Sequence, residues 1–192
     1  MKATLLLATT AALASSLSLE QASANLAKYT AYDCAWARGM LQGFEVGFFK
    51  KASFVNSPKC LDADWQALFV STFTGYNQAS FSWVNNTINI QRMLTDVQTN
   101  CQFDEALYSY LAFCYDSDQC LITYMFQTLM SKIFQVTTVF NDIAQLVVER
   151  PPALTAAATD IESYANRFGQ DVGKILRYAT NYDPTLFPPA LY

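Results

Sequence analysis

Three of the six glycines in this chain, Gly39, Gly43 and Gly47, stand four residues apart and continue the spacing of Ala27, Ala31 and Ala35. At 3.6 residues per turn this places one nearly bare stripe along a proline-free segment from Asn25 to Lys51. A bulky row, Trp36, Met40, Phe44 and Phe48, runs beside it at the same spacing. The segment therefore reads as a helix with a flat groove next to an aromatic ridge. A second helix axis can approach such a face more closely than the usual ~8–10 Å. The same device recurs near the C-terminus, where Ala165, Gly169 and Gly173 stand four apart. Close helix packing is expected at Ala35, Gly39, Gly43, Gly47, Ala165, Gly169 and Gly173.

Glycine and proline contribute six residues each to 192. That is about half their usual share, too few turn residues for an all-β fold that needs a turn every ~8–12 residues. Few turns imply long elements. After a loop from Ala52 to Leu61, a second helix is expected to start at Asp62 or Asp64 and run toward Thr99. Its 4-3 row is Trp65, Phe69, Thr72, Tyr76, Ala79, Trp83, Asn86, Ile90, Met93 and Val97. Such a rod would be ~50 Å long, with at most a kink near Gly75 or at Asn85-Asn86. Asp104 and Glu105 open a shorter helix, and Tyr115 to Asp118 read as a turn whose last aspartate caps the next helix. That helix carries Ile122, Phe126, Leu129, Ile133, Val136, Phe140, Ile143 and Val147 over about four heptads, the pattern of a core helix. Pro151-Pro152 ends it near Val148, and a last helix spans roughly Leu154 to Thr180. The fold expected is all-α: a single disulfide-supported bundle of four to five helices with long antiparallel rods at its centre.

Lys2, the apolar run Leu5 to Leu17 and the small-x-small pattern Ala22-Ser23-Ala24 have the form of a secretory signal peptide over residues 1–24. The bundle domain then occupies 25–183, and 184–192 form an extended, proline-rich, apolar C-terminal arm. Leu186, Phe187, Leu191 and Tyr192 make this arm an interaction segment, docked on its own chain or exchanged onto a neighbouring molecule, since they are too apolar to stay hydrated. Secretion to the extracellular space puts Cys34, Cys60, Cys101, Cys114 and Cys120 in an oxidising compartment. Cys114 and Cys120 flank a turn and pair locally. Cys101 and Cys114 cannot pair, because thirteen helical residues hold them ~20 Å apart. The second bond is expected to join Cys34 to Cys60 or Cys101, and the odd cysteine is a buried thiol or a link to a second chain.

Histidine is absent. Ser-His and Cys-His nucleophile pairs and histidine-ligated metals are thereby excluded. No Gly-x-Ser-x-Gly elbow, Walker sequence or dinucleotide-binding glycine pattern occurs. The carboxylate pairs Asp62/Asp64, Asp104/Glu105 and Asp116/Asp118 all stand at helix starts, where capping explains them. No catalytic residue, metal ligand or cofactor is assigned. The net charge of −4 without a basic run argues against nucleic acid. Membrane insertion is disfavoured by charges in both terminal helices and by amides along 65–91. Asn85-Asn86-Thr87 is the one glycosylation sequon, with Asn85 on the outer side of its helix and Asn86 on the buried seam. The function expected is non-enzymatic: a secreted, structural or interaction glycoprotein that self-assembles, or binds a protein partner, through helix faces and the arm. The alternative is a secreted carrier that holds a hydrophobic small molecule or lipid in a cavity lined by some of its 28 aromatics (Phe 14, Tyr 11, Trp 3).

Overall fold

A computed structural model describes residues 19–51, 54–74 and 82–184. Among them the chain forms seven α-helices and one 3-10 turn, with no strand. The helices are α1 (Leu19–Phe49), α2 (Ala63–Thr74), α3 (Trp83–Cys101), α4 (Phe103–Asp116), α5 (Ile122–Ser131), α6 (Ile133–Glu149) and α7 (Ala158–Thr180), and the 3-10 turn Asp118–Cys120 precedes α5.

The helix count exceeds the expected four or five because both long segments divide. The rod expected from Asp62 to Thr99 is not continuous: it is helical to Thr74, residues 75–81, with the expected kink site Gly75, lie outside the described residues, and a new helix starts at Trp83, where the Ser82 hydroxyl accepts the Asn85 N–H at 3.4 Å as an N-cap. The segment 122–148 is interrupted at Lys132, whose N–H is shared between the Thr128 and Leu129 carbonyls. The Val136 N–H still reaches the Lys132 carbonyl at 3.0 Å, so the two helices keep nearly one phase. Asp62 caps α2, its Oδ1 accepting the Trp65 N–H at 3.0 Å. Asp118 does not cap α5: Leu121 occupies that position without a side-chain bond.

The centre of the molecule is a parallel pair, α1 with α7, rather than antiparallel rods. Going up α1 from Tyr32 through Arg38 and Gly43 to Gly47, the partners on and before α7 also ascend: Pro152, Glu162, Gln170 and Arg177. Parallel packing is sterically open here because both helices bring a bare stripe, and bare stripes carry no directional preference of their own.

Two apolar clusters flank this pair. At the C-terminal end of α1, Phe48 and Tyr182 stack at 4.6 Å, with Phe49 and Phe113 edge-on to Tyr182. On the side of α2 and α3, Cys34, Cys60, Leu61 and Cys101 pack with Trp65 and Val97 around them. The disulfides are Cys60–Cys101 and Cys114–Cys120. Cys34 is therefore the free, buried thiol, and the expected Cys34 bond to Cys60 or Cys101 is not formed. Cys60 and Cys101 satisfy each other because the loop before α2 and the end of α3 bring their Cα atoms to 4.7 Å.

Candidate interaction surfaces

The contact between α1 and α7 is built from the small residues. Ala35 and Ala165 have no exposed surface, and Gly39, Gly43, Gly47, Gly169 and Gly173 are all buried. A Cβ added at Gly39 would lie 2.8 Å from the Ala165 Cβ, one at Gly43 2.7 Å from the Gln170 backbone N, and one at Gly173 2.8 Å from the Phe48 backbone N. Most of these neighbours are backbone, which cannot rotate away, so the axes are as close as glycine permits.

Polar groups fix the register of the pair. Arg38 Nε donates to Glu162 Oε1 at 2.7 Å, and Arg38 Nη1 donates to the Leu61 carbonyl at 2.7 Å. Leu61 sits in the left-handed region at φ 51°, and Gln66 also donates to its carbonyl. One arginine on α1 thus holds both α7 and the strained loop that leads into the disulfide. At the other end Arg177 donates to the Gly47 carbonyl near the α1 terminus. Two carboxylates are buried and paired, Glu45 with Lys51 and Asp171 with Lys174, both at 2.7 Å.

Burial raises the Cys34 thiol from 9.0 to about 11, against a smaller opposing pull from Arg38. Its thiolate is scarce at neutral pH, and the position is shielded rather than reactive. Burial likewise raises the Tyr182 phenol from 10.0 to about 12.

The outer sides of the peripheral helices are different. The 4-3 row expected to lie in the core along 122–147 is buried only at Val136, with Leu129 and Ile143 partly covered. Ile122, Phe126, Ile133, Phe140 and Val147 are exposed, and Phe134 is 88% exposed. The cause is geometric: α7 covers one flank of the stripe, through Val136, Val139 and Leu146, and leaves the other flank to solvent. On α3 the same division occurs, with Met93 buried and Trp83, Ile90 and Leu94 exposed. Periodicity in the sequence locates a stripe but does not say how many neighbours cover it.

Asn85 is exposed in the first turn of α3, and Asn86 is partly buried, its amide 3.5 Å from the Thr72 carbonyl. The arm residues Leu186, Phe187, Leu191 and Tyr192, and the signal-like residues 1–18, lie outside the described residues. Among the described residues no helix is long and apolar enough to cross a membrane, and no group of three or more Cys, Asp or Glu residues is placed to hold a metal ion.

Grooves run along these helices. One of about 580 Å³ follows α3 and is lined by Ile88, Gln91, Arg92, Thr95, Asp96 and neighbouring residues. Another of about 270 Å³ gathers Lys50, Lys132 and Arg177 beside Tyr178 and Asp183, where α1, α5 and α7 end. Cations at helix C-termini complement the backbone dipoles, which accounts for that cluster structurally. In comparisons with protein-family models, curated proteins and solved structures, the chain matches none.

Proposed function

We propose that this chain is a secreted, non-enzymatic structural or interaction protein that assembles with further copies of itself outside the cell. The observation that carries the reading is the apolar surface left open on α3 and on α5 with α6. Among the described residues twenty large apolar side chains are exposed, and most belong to α3, α5 and α6. Scattered exposed leucines are ordinary, whereas rows at helical spacing mark surfaces that another element covers. Two open faces on one chain allow contacts beyond a single pair.

Secretion is supported by the signal-like N-terminus and by the two disulfides, which persist in oxidising compartments. Residues around the expected junction, Ala22, Ala24 and Asn25, are exposed on α1, and the first buried side chain after them is Thr30. The exposure of Asn85 within its sequon supports a glycan there. The arm, with Leu186, Phe187, Leu191 and Tyr192, is a further contact in this reading, and truncation after Asp183 is expected to weaken association without unfolding the bundle.

The carrier reading needs an enclosed apolar cavity, while the groove described on α3 mixes the Ile88 side chain and aliphatic stems with amide, hydroxyl and charged groups and is open to solvent. Native mass spectrometry with light scattering over a concentration series decides between them. Homomeric particles whose mass grows with concentration support assembly. A stable monomer with a stoichiometric lipid contradicts it.

A further inference from the structure

The outer face of α5 and α6 has a self-complementary pattern. The helix breaks at Lys132, but the Lys132 N–H still bonds the Thr128 and Leu129 carbonyls and the Val136 N–H the Lys132 carbonyl, so α6 follows directly on α5. Ile122, Phe126 and Met130 on α5 and Ile133, Phe140 and Val147 on α6 are all exposed, away from the Val136, Val139 and Leu146 edge that meets α7.

Charge is absent from this side. Between Gln119 and Arg150 the only charged residues before Glu149 are Lys132 and Asp142. Both turn toward α7: Lys132 lies over the Tyr178 ring and bonds Asn181, and Asp142 lines a groove with Arg167, Asp171 and Lys174. A second copy brought against the face would meet no like charge and would leave no ion unpaired.

Resting on the self-assembly reading, we infer that α5 and α6 form an isologous dimer interface, packing antiparallel against the same helices of a second copy. A two-fold axis between Val136 and Thr137 sets Phe126 against Val147 and Ile133 against Phe140, so each aromatic ring meets an aliphatic side chain. The half-covered 4-3 stripe is the surface that a helix fills best, with α7 on one flank and the partner on the other. The area fits as well. Six large side chains at roughly 100 Å² each give about 600 Å² before Thr137, Ala144 and the backbone are counted, against the ~800 Å² each partner contributes to a standard interface.

Thr137 stands next to the axis and is exposed, so in this arrangement it faces its own copy. In the full chain, Thr137→Cys is expected to give a disulfide-linked dimer on mild oxidation, and Gln135→Cys, exposed on the opposite side of α6, is expected not to. The buried Cys34 stays silent in both. Phe140→Glu, an exposed position, should leave the helical circular dichroism unchanged and lower the light-scattering mass below that of the unsubstituted chain at the same concentration. If the chain associates but Thr137→Cys does not cross-link, or Phe140→Glu reaches the same mass as the unsubstituted chain, this interface is wrong while the self-assembly reading stands. A chain that stays monomeric at every concentration overturns both, whether a lipid or residues 185–192 then cover the face.

Discussion

The α1/α7 contact and the outer face of α5/α6 are both helix stripes at the same spacing, yet one is closed and the other open. In the first, residues without side chains bring two backbones together, so nothing else fits between them. In the second, large side chains stand out from a helix that its neighbour covers on one flank only. The comparison separates two uses of amphipathic periodicity. Small residues at the spacing commit a helix to one partner at one distance. Large residues at the spacing leave the partner's identity open, and with it the option of recruiting another molecule.

The strongest way to break the comparison is Gly43→Leu. A side chain there would overlap the Asn166 carbonyl and the Gln170 backbone. The loss is expected to exceed ~4 kcal/mol, the range reached only by severe overpacking and a few other mechanisms. Gly43→Ala sharpens it. In an open helix this change stabilises by ~1 kcal/mol, whereas here even a Cβ meets backbone, so the sign reverses. Denaturant melts of both variants check this, and a Gly43→Leu chain as stable as wild type would mean that the two helices do not touch.

The next effect concerns α3, whose inner edge is held covalently. Opening Cys60–Cys101, which closes 41 residues, is expected to cost roughly 4 kcal/mol, against about 2 for the six-residue Cys114–Cys120 link. Paired alanine substitutions measured by urea unfolding test the ranking. Equal losses would show that α3 is held by packing alone.

A smaller effect is an alkaline decline in stability. Cys34 folded titrates near 11 and free near 9.0, so between these values the unfolded chain has released a proton that the folded chain retains. The unfolded state then binds fewer protons, and stability falls as pH rises through that window. Tyr182 extends the fall from 10.0 toward 12. Cys34→Ala is expected to flatten the melting temperature between pH 9 and 10 while the later decline persists. An unchanged profile in Cys34→Ala would place the thiol at the surface.

The smallest effect is the contrast with Gly43: Phe134→Ser on the outer side of α6 is expected to change stability by less than ~0.5 kcal/mol, because the ring is already in water. A loss of several times that would mean that the ring is covered within one molecule.

Much of this was readable in the residues. The glycine and alanine spacing identifies both helices of the central pair, Asp62 announces the start of α2, and the Cys114–Cys120 turn is short enough to close by itself. The parallel direction was not readable, since it depends on how the segments between α1 and α7 travel. The free thiol was not either: Cys34, Cys60 and Cys101 share one cluster, and only the geometry of the loop before α2 decides which two bond. The interruption at Lys132 leaves the 4-3 rhythm intact and so carries no sequence signal. Exposure of Phe126, Ile133 and Phe140 was hidden because an uncovered stripe has the same sequence as a covered one.

Amide hydrogen exchange measured in dilute and concentrated solution tests the division between closed and open surfaces most directly. Protection of α1 and α7 is expected to be high and independent of concentration, while protection of α5 and α6 rises with it. Full protection of α5 and α6 at the lowest concentration, or exchange in α1 and α7 ahead of them, would contradict the account.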